Sequence, residues 1–463
     1  MAKTRKYSAP RRRLTTVSPL TPRADLTVKN PRAAGIDIHD GVHWVAVPSE
    51  CDPQPIRAFA TFTADLEALA DWLTACGIDT VAMESTGVYW IPLYELLERR
   101  SFRVFLVDAR TIAKVPGRPK TDIHDCQWIQ RLHSYGLLGK AFRPKDDIVV
   151  LRGFVRQRQT LISYASQHIQ HMQKALVEMN IKLTLVVSDI VGKTGMAIIK
   201  AILAGDRDPV KLAELRDGRC KHTEEEIAKA LVGNWREEHL LALKQAVELY
   251  EFYHCKITEC DQAIDKYLSR LPNRTGEKPL DPGPRKQKNK DNEPMFDARK
   301  RLYEMMGVDL TAIDGISVSV ALTIASEIGH DVSAFRNEKA FANWLGLAPN
   351  HRITGGKIKS NKTRPGANRI ATGLRMAAAS LLRTPTAMGA FGRRIRSRLG
   401  SPKAITAIAH KLAKVVYRML KNGEAYVKRG AEEYEAQFQE RRMAALKRTA
   451  ASMGFRLEPV LAQ

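Results

Sequence analysis

Apolar and polar residues alternate in short runs over the first third of the chain, then give way to long runs with helical spacing. Ala33–His39 and Val42–Val47 read as strands joined by Asp40-Gly41, a dipeptide suited to a two-residue type I′ hairpin. Ile56–Phe62 is a candidate third strand. Leu66, Leu69 and Leu73 share one face of a helix over Ala64–Cys76, and Gly77 is its stop. Asp79–Met83 reads as a short buried strand, Val88–Arg100 as a helix and Phe102–Val107 as another strand. A further helix opens at Asp122, where Cys126, Trp128, Ile129 and Leu132 have helical apolar spacing. Three strands followed by alternating helix and strand describe an α/β domain.

From Asp147 the period changes. Ile148, Leu151, Val155, Ile162, Ala165, Ile169, Met172, Leu176 and Met179 keep a heptad spacing broken where Arg158 falls. Leu240, Leu243, Val247, Tyr250, Ile257, Ile264, Leu268 and Leu271 form a second such run, with His254 and Asp261 as polar exceptions. Sustained heptads predict coiled-coil helices that either fold back as an antiparallel arm or pair between protomers; a plain helical bundle core is the other reading. Pro272–Pro294 is rich in Pro, Gly and charge and reads as a linker. Beyond it, Leu310–Gly329 reads as helix, tight turn at Asp314-Gly-Ile-Ser317, helix. That spacing is similar to a helix-hairpin-helix, whose turn presents backbone N–H groups to a phosphate, although an ordinary αα-hairpin fits nearly as well. The organisation expected is therefore a basic arm (1–32), an α/β domain (33–146), a helical region (147–271), a linker (272–295), a second, mostly helical domain (296–430) and a helical tail (431–463).

Charge narrows the partner. The 463 residues carry a formal net charge of +24, with a pI of about 9.8, which points to a polyanion. Between Glu338 and Glu424 there is no acidic residue. That stretch holds Arg352, Lys357, Lys359, Lys362, Arg364, Arg369 and Arg375, then Arg393, Arg394, Arg396, Arg398, Lys403, Lys411, Lys414 and Arg418. A merely solvated face mixes both signs, so this stretch is expected to track phosphates, with Lys357, Lys359, Arg364, Arg369, Arg393, Arg394, Arg396 and Arg398 as the candidate contacts. Six cysteines without a CxxC pair fit a reducing cytoplasm and no disulfide framework. No apolar run is long enough to span a bilayer, and the start lacks a signal-peptide core.

Four acids carry candidate chemistry. Asp37 sits mid-strand between Ile36 and Ile38, so alternation points it away from the face those residues pack. An unpaired carboxylate there is costly. His39 shares the face of Asp37. Glu84 follows the apolar strand Thr80–Met83, at the kind of strand end where open α/β sheets bind ligands. Asp122 and Asp125 are three apart on one helix face, and two like charges so placed raise each other's pKa unless a cation lies between them. A helix N-cap and a first-turn acid would explain that pair equally well taken alone. Jointly the four suit Mg²⁺ or Mn²⁺, in a two-ion site that polarises a scissile phosphate.

The strand and helix order is that of a ribonuclease H-like domain. Gly35-Ile-Asp-Ile-His39, Met83-Glu-Ser-Thr-Gly-Val-Tyr-Trp90 and Lys120-Thr-Asp-Ile-His-Asp125 resemble the DEDD motifs of a bacterial insertion-sequence transposase family related to the Piv-type invertases. Trp344-Leu-Gly-Leu-Ala-Pro349 and Gly355-Gly-Lys357 are similar to its second signature. The resemblance implies a RuvC-like catalytic domain, a coiled-coil region, a C-terminal transposase domain and metal-dependent recombination of donor and target DNA. It extends to a structured guide RNA as a candidate partner, and a dimer or tetramer in a nucleoid-associated, cytoplasmic setting is expected. In that family a Ser before Gly-Gly-Lys is regarded as the nucleophile; here the position is Thr354, with Ser360 the nearest alternative hydroxyl. A junction nuclease that hydrolyses DNA, or a non-catalytic remnant that only binds it, are the competing readings.

Overall fold

Hydrogen bonding joins five strands in the order β3-β2-β1-β4-β5: β1 (Ala33–Ile38), β2 (Val42–Ala46), β3 (Ile56–Ala60), β4 (Thr80–Glu84) and β5 (Arg103–Val107). β1, β2 and β3 form an antiparallel meander, while β4 and β5 run parallel to β1. The computed structural model describes residues 27–85, 87–108, 121–276, 278–280, 292–366, 368–423 and 431–456. Most of the expected basic arm, the middle of the expected linker, Thr86 and Lys120 lie outside them. The chain divides into two compact units, Met1–Arg143 and Pro144–Gln463.

In the first unit the sheet has two differently covered faces. Ile36, Ile38 and Met83 pack with Leu66, Leu69 and Leu73 of α1 (Thr63–Ala75) and with Leu93 and Leu97 of α2 (Trp90–Arg99). The other face carries Ala82 and Val107, buried with Ile129 and Leu132 of α3 (Asp122–Ser134). α1 stops as its sequence requires, with Gly77 at φ +64° and the N–H of Ile78 reaching back to the carbonyl of Leu73. The β1–β2 link departs from expectation: neither Asp40 nor Gly41 takes a positive φ, so no type I′ turn forms. The register pairs Ile38 with His43, which leaves a longer connection, and the Thr61 hydroxyl, just past β3, donates to the carbonyl of Asp40.

In the second unit the two heptad runs become single long helices, α4 (Asp146–Glu178) and α5 (Glu237–Leu268). They pair within the chain and antiparallel: the Tyr267 hydroxyl donates to the Asp147 carbonyl, Tyr164 meets Tyr253, and His239 lies 3.3 Å from Glu178. The two polar exceptions are partners. Arg158 and Asp261 are each almost fully buried, with Nε to Oδ1 at 2.5 Å and Nη2 to Oδ2 at 3.2 Å. Arg158 also donates to the Asn292 carbonyl, and Asp261 accepts from the N–H of Met295. Between the long helices a small head closes on its own core, in which Ile198, Ile199 and Ile202 pack with Leu212, Ile227 and Leu243.

The remaining helices seat on the far end of this arm. In α6 (Val318–Ile328) Glu327 receives Arg156 through two bonds of 2.8 Å, and Arg152 donates to its backbone carbonyl at 2.6 Å. The expected helix-hairpin-helix is lopsided. A single 3₁₀ turn at Leu310–Ala312 precedes the turn, Gly315 sits at φ +84° against Leu381, and Ser317 caps α6 by accepting from the N–H of Val320. α7 (Arg369–Leu381), α8 (Ala387–Leu399) and the helix Glu338–Trp344 gather around α9 (Ser401–Asn422). Phe335, Phe341 and Trp344 form one aromatic cluster with Tyr417, so the half-buried Trp of the second signature packs against the core. No helix among the described residues is long and apolar enough to cross a membrane.

Replacing either member of the buried Arg158–Asp261 pair leaves a charge with no counter-charge in the arm. Asp261→Leu or Arg158→Leu alone is expected to cost about 3–5 kcal/mol, and the double replacement far less than the sum of the two. Urea unfolding of the three variants checks this.

Candidate metal centre and nucleic-acid interface

The site begins with a glycine. Gly35 and Asp37 share one face of β1, and α3 crosses that face so closely that a Cβ on Gly35 would lie 2.7 Å from the Cα of Gln130. It would come nearer still to the Gln130 nitrogen and the Cys126 carbonyl oxygen. Gly35 therefore admits the helix, and the helix carries its first turn over Asp37. Gln130 fixes the contact by donating from Nε2 to the Ala33 carbonyl at 3.3 Å. Cys126, buried in the same contact, has its thiol pushed up to about 12 by burial, so it packs as a neutral side chain.

α3 changes one half of the competing explanation of its acids and keeps the other, since both Asp122 and Asp125 lie in its first turn. Thr121 is the N-cap, its side chain accepting from the N–H of His124, which leaves Asp122 in the first turn instead of capping it. Asp122 is exposed and Asp125 half-buried. Glu84 ends β4, next to β1. The register pairs Gly35 with Ala82 and Ile36 with Met83, so Glu84 falls on the face of the sheet that carries Asp37.

Electrostatics tie the acids together. Burial raises the Asp37 carboxyl above its ordinary value; His39 lowers it, and the charges of Glu84 and Asp125 raise it again. Asp37, His39 and Asp122 each offer a ligand atom, all within 4.8 Å of one another. The His39 Nε2 is 3.1 Å from Asp37 Oδ2 and 3.6 Å from Asp122 Oδ1. Oxygen donors with one imidazole, gathered where the charges of Glu84 and Asp125 raise the Asp37 carboxyl, fit a divalent cation. His39 is the residue that counting acids passes over. Its signal was alternation, since it stands two residues from Asp37.

The basic residues divide into two groups. Thr354 ends β6 (Arg352–Thr354), Gly355 and Gly356 form the turn at φ +55° and +70°, and β7 (Lys357–Ser360) returns. Thr354, Lys357 and Lys359 are exposed on this hairpin, and Arg396 and Arg398 are exposed at the end of α8. The others have internal partners. Arg364 donates to the Asn343 carbonyl, and Arg369 to Gln159 Oε1 with Glu327 4.0 Å away. Arg393 donates to the Thr384 and Leu382 carbonyls, and the Arg394 guanidinium stacks on Phe438. Within the same acid-free stretch, Lys414 and Arg418 both pair with Glu338.

Two family models match the chain. One, the DEDD transposase domain of the IS110 type, matches residues 34–181, and the other, the transposase domain of the IS116/IS110/IS902 family, matches residues 309–393. No curated protein matches it. The enzyme these two domains define is a DNA transposase. The chain belongs to the IS110-type DEDD family of insertion-sequence transposases.

Adding one methyl group at Gly35 tests how the site is built. Gly35→Ala must push α3 off the sheet, at an expected cost of about 1–3 kcal/mol or more. It should reduce binding of Mn²⁺ to the folded chain, measured by titration calorimetry, even though no carboxylate has been changed.

Proposed function

We propose that this transposase cuts and rejoins DNA strands at a divalent-metal site held by Asp37, Glu84, Asp122 and Asp125 in a RuvC-like domain. The sheet order β3-β2-β1-β4-β5, with α3 on the face opposite α1 and α2, supports the ribonuclease H-like reading. The observation that carries the proposal is electrostatic. Carboxylates from β1, β4 and α3, distant in sequence, act on one another at the protonation of Asp37. A bound divalent ion supplies charge neutralisation for the scissile phosphate and activation of the attacking oxygen. Asp37 and Glu84 provide ligands from rigid strand ends, and Asp122 and Asp125 from the first turn of a helix pinned to β1.

Thr354 is the nucleophile in this reading. Its Oγ1 attacks the phosphorus, a threonyl O–P bond forms, and the deoxyribose oxygen leaves and takes a proton. The turn glycines beside it would let backbone come near the DNA, and the exposed Lys357, three residues on, would neutralise the phosphate under attack. Exposed Lys357, Lys359, Arg396 and Arg398 hold donor and target DNA by charge. A structured RNA of the element as guide, and a homo-oligomer as the working form, complete the reading as expectations that the family resemblance implies.

The decisive experiment is strand transfer on an element-end substrate. Asp122→Ala should lower it by about 10²–10³-fold or more while DNA binding stays largely intact. Thr354→Ser should keep or raise activity, because a primary hydroxyl is less hindered. Thr354→Val should abolish both transfer and any covalent protein–DNA adduct. Full activity in the valine variant would show that Ser360 or water attacks instead.

Binding has its own test. Arg396→Gln with Arg398→Gln should flatten the slope of log K against log salt by roughly 0.9 per lost phosphate contact on duplex DNA. Arg393→Gln should leave that slope unchanged and lower thermal stability, since its guanidinium ties α8 to the turn before it.

A further inference from the structure

We propose that the His39 imidazole is itself a ligand of the metal site, binding through Nε2 beside Asp37 and Asp122 and biasing the site towards Mn²⁺ and Co²⁺ over Mg²⁺. This rests on the metal-site reading above and adds a donor of a different chemical class to it.

The geometry comes from three elements. β1 ends at Ile38, so His39 stands just past the ladder, where no cross-strand hydrogen bond holds it. Its ring turns back over the strand end, and Nε2 faces the carboxylate oxygens of Asp37 at 3.1 Å and Asp122 at 3.6 Å. These three atoms lie within 4.8 Å of one another, a spacing a single ion can span with one ligand atom from each residue. Asp37 is nearly buried and Asp122 exposed, with His39 between them in exposure, so the three run from the sheet outwards to solvent. The Thr61 hydroxyl donates to the carbonyl of Asp40, tying down the loop immediately after His39.

Ligand chemistry then sets the preference. Mg²⁺ strongly favours an all-oxygen octahedron. A neutral imidazole nitrogen is a softer donor, and transition ions gain more from it than Mg²⁺ does. A His39 that serves only to orient Asp37 by hydrogen bonding would leave no nitrogen on the metal.

Electron spin-echo spectroscopy of the full-length chain loaded with Mn²⁺ reads this directly. The natural chain should show ¹⁴N modulation that disappears in His39→Gln and persists in His124→Gln, whose imidazole bonds to Thr121 instead. Mn²⁺ affinity should fall on the order of tenfold or more in His39→Gln, with a clearly smaller fall for Mg²⁺. Absence of ¹⁴N modulation in the natural chain, or modulation that survives in His39→Gln, overturns the proposal whether or not the variant is stable. Asp122→Asn separates this from failure of the underlying site. Mn²⁺ binding lost there, but without nitrogen coupling in the natural chain, removes His39 alone. Mn²⁺ affinity unchanged in Asp122→Asn removes the site and the proposal together.

Discussion

The close packing of α3 against β1 at Gly35 governs where the acids of the first unit stand. A strand carboxylate facing a helix would normally be held away by the side chain two residues before it. Here that side chain is a hydrogen, and the helix settles onto the strand. The cost of burying Asp37 is thereby joined to the position of Asp122 and Asp125, since the same contact buries one and delivers the others. His39 and Glu84 then need only stand at adjacent strand ends. The site is thus specified by packing on one face of a sheet whose other face is an ordinary apolar core.

Much of this was legible in the sequence because it follows local periodicity. The five strands, α1 and α2 lie within a few residues of where alternation and apolar spacing put them, and the acid spacing at Asp122 and Asp125 gives a shared helix face directly. Other features were hidden. The turn at Asp40-Gly41 carries the signal of a type I′ hairpin, yet the register pairs Ile38 with His43, which leaves a longer connection that the Thr61 hydroxyl, just past β3, bonds at Asp40. The role of Gly35 is invisible without knowing that α3 lies on that face. Proximity of His39 to Asp122 joins residues more than eighty positions apart, which no local pattern encodes. Thr121, and not Asp122, caps α3, a distinction that only backbone geometry makes.

The same limit applies to charge. In the long helices, Arg158 and Asp261 look like two separate faults in the heptads, and they are one buried pair whose alignment fixes the antiparallel register. In the acid-free stretch a count of basic residues does not tell which of them already have partners within the chain. Arg364, Arg369, Arg393 and Arg394 hold backbone carbonyls, a glutamine or an aromatic ring, and Glu338, the last acid before the stretch, takes Lys414 and Arg418. Net charge predicts the class of partner; hydrogen-bond geometry shows which cations also hold the fold together.

The paired helices also set a distance. With 33 and 32 residues, and a rise of about 1.5 Å for each, the paired helices run roughly 50 Å from the head to the opposite end, with Glu327 clasped part-way along. The buried ion pair prevents the two helices from sliding, so that span is a fixed gauge. At about 3.4 Å per base pair it corresponds to some fifteen steps of a double helix. A nucleic acid lying along the arm and touching both ends would be measured in length before any base was read.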